Sequence, residues 1–500
     1  MNKKQRAARE QERLLGTFTL PAGQRAPGEL TIDGSNTLLR VHADEFLQRV
    51  DDGESVTGVS YKGDSITLVD CRSPGTGSSG FTDGPTNYHA DIFPHYITIG
   101  RQFLIPSDPC VRSIHFGAGD METLFWDFDA FGHVIDSRSI IEAVLRQQPS
   151  ARPIEAGRSP QVFYFTGKDC VAEVDTVIGK VSVHHRPKFN MGGPRGVYIK
   201  NRVELSLEFS QSVAFSLAIE RMYDLCCFLS IAAGRTQSIR RIRITTTTLV
   251  NGIFQSLKVL PSFRWNSGSE NEQLRPHPGD VPLDPIRRRK EFDSVLKHWV
   301  GRHYEWRFAR GRLLGCMRQR NKYGPERLVA AANMFDILPK SSVPDEVELT
   351  AETASARDAS VELFRKLPVA ADRNSALSAL GRLGQASLPK KVAYRTAIVE
   401  SQIGARFADL QFVASIAVKC RNFYVHGSSG DLDFERVEPL VSFLTDTLEF
   451  IFVSSDFIEA GWDAARWNGE PKGWGHSFAR YRSGYDIGLA RLREATAARA

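Results

Sequence analysis

Three residues near the end of one apolar segment have types and spacing suited to chemistry on a phosphodiester. In "CRNFYVHGSSGD", residues 420–431, they are Arg421, Asn422 and His426. A guanidinium keeps its charge, so on a buried helix face it needs an anion. That anion is either a carboxylate on a neighbouring helix or a substrate phosphate, whose oxygens match the arginine fork. Asn422 and His426 are four residues apart, on one helical face, so the amide is expected to orient the imidazole. Gly427 supplies the helix stop, leaving His426 in the final turn. An imidazole there, with an ordinary pKa of about 6.5, can take a proton from a ribose 2′-hydroxyl and return one to a leaving 5′-oxygen. Arg421 and His426 lie about 140° apart around an ideal helix, so one copy does not focus both groups on one phosphate. Two copies about a two-fold axis would line a cleft with two of each. The competing reading is a structural helix cap. Asn333 and Asp336 in "LVAAANMFDIL" are the candidates to face Arg421, as a structural pairing or as support for an active site.

The helix that positions these groups shows apolar or buried-stripe residues at Leu410, Val413, Ala414, Ala417, Cys420, Arg421 and Tyr424, three and four apart. Helical periodicity fills residues 286–461. The expected helices are 287–320, 325–338, 346–366, 389–404, 406–426 and 437–459, folded as an antiparallel bundle. In the last, Leu440, Phe443, Leu444, Leu448, Ile451 and Phe452 form the apolar stripe, with Pro439 in the first turn. Residues 15–260 read instead as short strands cut by Gly, Pro, Asp and Ser, among them "SITLVD", "QVFYFTG" and "VYIKNRVELSLEF". The one clear helix there starts near Ser212 and stops at Gly234. Residues 1–14 are a charged tail, 261–285 a Pro/Gly-rich linker and 462–500 a C-terminal tail. The expected fold class is α+β, a β-rich N-terminal domain followed by an all-α bundle.

The net charge of the chain is +6, but residues 287–327 alone hold 13 Lys and Arg against 4 Asp and Glu. Arg302, Arg307, Arg310, Arg312, Arg318, Arg320 and Lys322, interleaved with aromatic residues, are candidate RNA contacts. A solvated helix face is the alternative. Seven cysteines without paired spacing fit core thiols better than disulfides or zinc, so no metal or cofactor is expected. No apolar run is long enough for a bilayer, and the charged N-terminus lacks a signal core, so a cytoplasmic protein without membrane contact is expected. His184 and His185 beside Arg186 and Lys188 suit a phosphate-contacting loop, although a β-hairpin turn explains them more simply. His89, Asp91 and His95 form a loose metal-like cluster that reads as strand-edge structure. "GTGSSG", residues 75–80, lacks the Lys-Ser/Thr ending of a P-loop.

With its bundle context, "RNFYVH" resembles the signature of HEPN domains, an Arg followed by four to six residues and His, commonly with Asn after the Arg. The layout of a β-rich half before such a bundle is similar to ApeA-type anti-phage proteins. That resemblance implies a metal-independent endoribonuclease working as a homodimer or higher oligomer in abortive defence, answering a phage-derived trigger. It gives His426 the acid/base role, Arg421 the developing phosphate charge and Asn422 the orientation of the group beside it. The implied products are a 2′,3′-cyclic phosphate and a 5′-hydroxyl. "HGSSG" lacks the His-x-Tyr extension of HEPN partners of nucleotidyltransferases. The alternative function is a non-catalytic bundle that binds RNA, a nucleotide or a protein.

Overall fold

The alternation of buried and exposed side chains in "ERLLGTFT" makes residues Glu12–Thr19 a strand with one face toward a core. This strand opens the computed structural model, which describes residues 12–80, 86–147, 155–190, 192–194, 196–263, 275–344, 349–427 and 432–497. Of the charged tail expected over residues 1–14, residues 1–11 lie outside the described residues, as do residues 264–274 of the expected linker, while residues 12–14 already belong to this strand. By internal contacts the chain forms two units: residues 1–229, 237–272 and 283–293, and residues 230–236, 273–282 and 294–500.

In the first unit, β1 (Glu12–Thr19), β2 (Arg25–Ile32), β3 (Leu38–Ala43), β4 (Val56–Ser60), β5 (Ser65–Ser79) and β6 (Asn87–Gly100) pair antiparallel in the order β6-β3-β2-β1-β4-β5. β5 also pairs with β6, with Ile66 opposite Ile99 and Ser79 opposite Asn87. The ribbon therefore closes into a barrel and leaves no free edge on either strand. Phe18, Leu30, Leu39, Val41, Ile66, Leu68, Ile92 and Ile97 form one buried cluster there. Gly58 makes room for it, since a Cβ at that position would sit 2.3 Å from the Phe18 ring.

The sheet continues from β6 through six more strands. They are β7 (Val111–Ala118), β10 (Cys170–Thr176), β11 (Gly179–His185), β14 (Val203–Val213), β15 (Ile239–Val250) and β16 (Ile253–Pro261), in the order β16-β15-β7-β14-β11-β10. β8 (Phe131–Val134) pairs with β9 (Val162–Phe165), and β12 (Lys188–Phe189) with β13 (Ile199–Lys200). Among them lie α1 (Met121–Leu124), α2 (Arg138–Gln147) and α3 (Phe215–Ala233), which Gly234 ends in a left-handed conformation, φ 67°.

The helical region is α4 (Arg289–Gly301), α5 (His303–Arg318), α6 (Pro325–Asp336), α7 (Ala351–Arg365), α8 (Ala371–Gly381), α9 (Leu388–Ile403), α10 (Leu410–His426), α11 (Phe434–Val437), α12 (Val441–Glu459), α13 (Ala464–Gly469) and α14 (Ser477–Thr496). The single helix expected over 287–320 divides after Gly301, a weak helix former. α8 escapes the periodicity argument because it buries no residue. Residues 462–500, expected as a tail, contain α13 and α14, and Tyr481 and Tyr485 pack against Phe407 and Phe443. α12 is buried on nearly every side rather than along one stripe, because it runs against α6, α9, α10 and α14.

A buried helix of this kind carries Asp456, 1% exposed. The Arg310 guanidinium, 0% exposed, donates to both of its oxygens at 2.9 Å. Arg302 donates to Asp456 Oδ1 and to Glu459 at 2.7 Å each. Arg395, also buried, donates to Glu459 at 2.7 Å and to Ser455 at 3.0 Å. Arg310 and Arg395 further lie over the rings of Trp299 and Trp306.

A second charged pair in this unit lies a few turns earlier on α12. Glu449 accepts both arms of Arg327 at 2.8 and 2.9 Å, and Asp446 accepts from the Tyr323 hydroxyl at 2.8 Å. Burial, then the nearby Glu449 charge, pushes the Asp446 carboxyl up to about 7.

Removing the Asp456 carboxylate leaves Arg310 charged and without its bidentate anion. Asp456→Ala is expected to cost about 3–5 kcal/mol in urea unfolding, and Arg302→Ala clearly less because Arg302 reaches solvent. Because the folded carboxyl of Asp446 titrates above its unfolded value, the folded state holds the proton more tightly, and stability falls as pH rises from about 4 toward 7. Asp446→Asn is therefore expected to match the wild-type melting temperature near about pH 3.5 and exceed it near about pH 8.

Candidate active site

α10 begins at Asp409, held in a left-handed conformation at φ 55°, and buries Leu410, Val413, Ala414, Ile416, Ala417, Val418 and Cys420. This face packs on α6, α9 and α12. The burial loosens in the last turn and a half, where Arg421 to Tyr424 are half-buried and Val425 and His426 exposed. Gly427 then ends the helix at φ 72°, its amide donating to the Phe423 carbonyl at 2.8 Å. Residues 428–431 of the "HGSSGD" segment lie outside the described residues.

Arg421 is held from three directions. Its Nη2 donates to Asn333 Oδ1 on α6 at 2.9 Å and lies 3.7 Å from Asp336 Oδ2. Its Nη1 donates to Asn422 Oδ1 at 3.1 Å. The buried Nε has no hydrogen-bond partner among the described residues. Asn333 and Asp336, one turn apart on α6, thus both stand against Arg421. Lys391 on α9 donates to the Asp336 backbone carbonyl at 2.7 Å and brings a second cation to this end of α6. No motif announces Lys391; only the pairing of α6 with α9 brings it there.

Asn422 is turned the other way from the sequence expectation. Its carboxamide oxygen faces Arg421, and no bond from it to His426 exists among the described residues. A charged donor is the stronger partner for an amide oxygen than a neutral ring. His426 projects from the exposed end of the helix. Phe434 of α11 stacks on Phe423, ring centroids 4.0 Å apart, and meets the Tyr424 ring edge-on, so the turn carrying His426 is braced from the chain that follows it.

The candidate RNA contacts separate sharply. Arg310 and Arg302 are not available for RNA, since both are committed to Asp456. Basic patterning cannot distinguish a buried ion pair from a solvated face. Trp299 and Trp306 are likewise in the core. Arg307, Arg312, Arg318 and Lys322 are exposed, and the Arg307 guanidinium lies over the exposed rings of Tyr304 and Phe308. Arg320 is half-buried with φ 56°.

Elsewhere, Asp91 is occupied by a two-point pair with Arg40 at 2.7 Å, and His95 pairs with Asp70. Among the described residues no group of three or more His, Cys, Asp or Glu is placed to hold a metal ion. Cys71, Cys226, Cys227, Cys316 and Cys420 are buried thiols, while Cys110 is half-buried and Cys170 exposed. Burial pushes the Cys420 thiol up to about 12. No described helix is long and apolar enough to cross a membrane.

Two family models match the chain: ApeA N-terminal domain 1 over residues 13–299 and Apea-like HEPN over residues 329–466. The second covers α10, α12 and the larger part of α6, and with them Asn333, Asp336, Arg421 and His426. No curated protein and no solved structure matches the chain.

Asn333→Ala is expected to destabilise the protein by about 1.5–3 kcal/mol, since it removes a bond to a charged donor. Asp336→Ala is expected to cost about 1 kcal/mol or less, because that contact is longer and partly solvated. Gly427→Ala meets no atom within 4 Å, so only its backbone conformation is strained, at about 1 kcal/mol. Urea unfolding of the three variants checks the order.

Proposed function

Because the chain belongs to the family described by ApeA N-terminal domain 1, with an Apea-like HEPN domain behind it, we propose that it is a metal-independent endoribonuclease of anti-phage defence. The observation that carries this reading is the last turn of α10. There Arg421 is fixed by Asn333 and Asn422 while His426 stands in solvent, each kept from the other's immediate surroundings. In the reaction, His426 takes the proton of a ribose 2′-hydroxyl as that oxygen attacks phosphorus. The bond from phosphorus to the 5′-oxygen breaks, and an imidazolium returns a proton to the leaving oxygen. The products are a 2′,3′-cyclic phosphate and a 5′-hydroxyl end. Arg421 neutralises the charge that builds on the phosphoryl oxygens. Asn422 holds that arginine rather than the histidine.

The angular separation of the two groups on one helix supports a homodimer, in which each copy contributes both residues to a shared cleft. Arg307, Arg312, Arg318 and Lys322, with Tyr304 and Phe308, offer charge and stacking for the flanking RNA. The enzyme acts in the cytoplasm, and the β-rich unit restrains it until a phage-derived trigger arrives. The 3.7 Å approach of Asp336 to Arg421 favours a second reading, a non-catalytic bundle in which this arginine is structural.

The two readings differ in outcome. His426→Ala and Arg421→Ala are each expected to lower RNA cleavage at least about 100-fold while the proteins remain folded. Undiminished cleavage in both folded variants would sink the nuclease reading. EDTA is expected to leave cleavage unchanged, and loss of cutting on chelation would replace the mechanism with a metal-dependent one.

A further inference from the structure

The first unit contains a cleft of about 430 Å3 at the end of β11, within the range of small-molecule sites. It is built by register. β11 pairs with β14 so that His185 stands opposite Val203 and His184 opposite Glu204. The chain between these strands folds into the β12–β13 hairpin, with Arg186 and Arg202 at its two feet, joined by an amide-to-carbonyl bond of 2.7 Å. Arg243 reaches in from β15.

Three arginines here face two carboxylates. Glu204, 3% exposed, accepts Arg243 at 2.7 and 2.8 Å. Asp169 pairs with Arg186 and lies 3.2 Å from His184. Arg202 is left with the weakest partner, Glu204 at 3.9 Å. Among the described residues the Arg202 side chain makes no hydrogen bond, and its Nε is buried without one. A guanidinium in that position lacks an anion with oxygens at bonding distance.

His185 points to a second requirement. It is 2% exposed, and its Nδ1 lies 3.1 Å from Asn201 Oδ1. The amide oxygen can only accept, so Nδ1 carries the proton and Nε2 presents a lone pair. Nε2 is buried without a partner among the described residues, and burial lowers the pKa of the ring, which favours its neutral form. A group that fits must therefore bring an N–H or O–H. The walls are aromatic, with Phe165 backed by Phe131 at a centroid distance of 4.8 Å, and Phe189, 60% exposed on the hairpin.

We propose that this cleft binds a free 5′-mononucleotide, its phosphate on Arg202 and Arg186, its ring against Phe189 and Phe165, and an N–H or hydroxyl donor on His185. An inorganic anion would meet the arginines and leave His185 and the aromatic walls unused. The cleft thus gives the β-rich unit a ligand of its own, independent of whether the helical unit cuts RNA.

The test uses the full chain and 5′-AMP, 5′-GMP, 5′-CMP and 5′-UMP, followed by thermal shift and calorimetric titration. Inorganic phosphate and the four nucleosides are the comparison arms. At least one nucleotide is expected to raise the melting temperature and to bind with a Kd below about 1 mM, more tightly than phosphate or its nucleoside. Arg202→Gln is expected to weaken it roughly tenfold or more. Phe189→Ala, at an exposed position, is expected to weaken it roughly fivefold or more without altering the unliganded melting temperature. Arg421→Ala is expected to leave binding unchanged, which separates this cleft from the α10 site. The proposal is overturned if no nucleotide binds, if phosphate alone binds as tightly, or if affinity survives both cleft substitutions.

Discussion

The carboxylate of Asp456 is the interaction on which the helical unit depends. It is buried in the last turn of α12 and takes two guanidiniums, while Glu459, the final residue of that helix, takes the second arm of Arg302 and one arm of Arg395. Five charges, on α5, α9, α12 and the junction between α4 and α5, are thereby fixed at hydrogen-bond distance, in a core that is otherwise Trp, Phe and Leu. Such a network is costly to bury and tolerates little displacement, so it sets the register of α4, α5 and α9 against α12. α10 packs on the same α12, and the position of its last turn relative to α6 follows from that packing. The bond between Arg421 and Asn333 is a downstream result of charges buried elsewhere in the unit.

Much of this was legible in the order of residues. The change from period two to helical period near residue 286 and the stop at Gly427 follow from local chemistry, and the fixed charge of Arg421 on a half-buried face called for the acceptor that α6 supplies. What escaped was whatever depends on a partner distant in the chain. Arg302 and Arg310 look like solvated cations because nothing nearby reveals that Asp456 will meet them. Barrel closure is hidden for a similar reason, since β5 and β6 read as separate short strands until their pairing to each other and to β4 and β3 is seen together. Asn422 shows a subtler limit: helical spacing correctly puts it on the face of His426, but side-chain choice is decided by the stronger acceptor demand of the neighbouring arginine.

The two units solve opposite problems with arginine. In the helical unit every deeply buried guanidinium described above has a carboxylate in bonding range. In the cleft beside β11, Arg202 is held loosely and His185 keeps a bare nitrogen. Tightly satisfied charges specify one packing; incompletely satisfied ones reserve affinity for something that arrives later. Stability and recognition are in this sense written in the same residue type and told apart by how many bonds it has already made.

The brace on the last turn of α10 reaches further than Phe434. On the same short helix, Arg436 donates to the carbonyls of Glu494 and Ala497, at 2.7 and 3.1 Å, and so clasps the terminus of α14. Anything joined behind that terminus, such as an affinity handle or a fluorescent fusion, would tug on Arg436, then on the Phe434–Phe423 stack, then on His426.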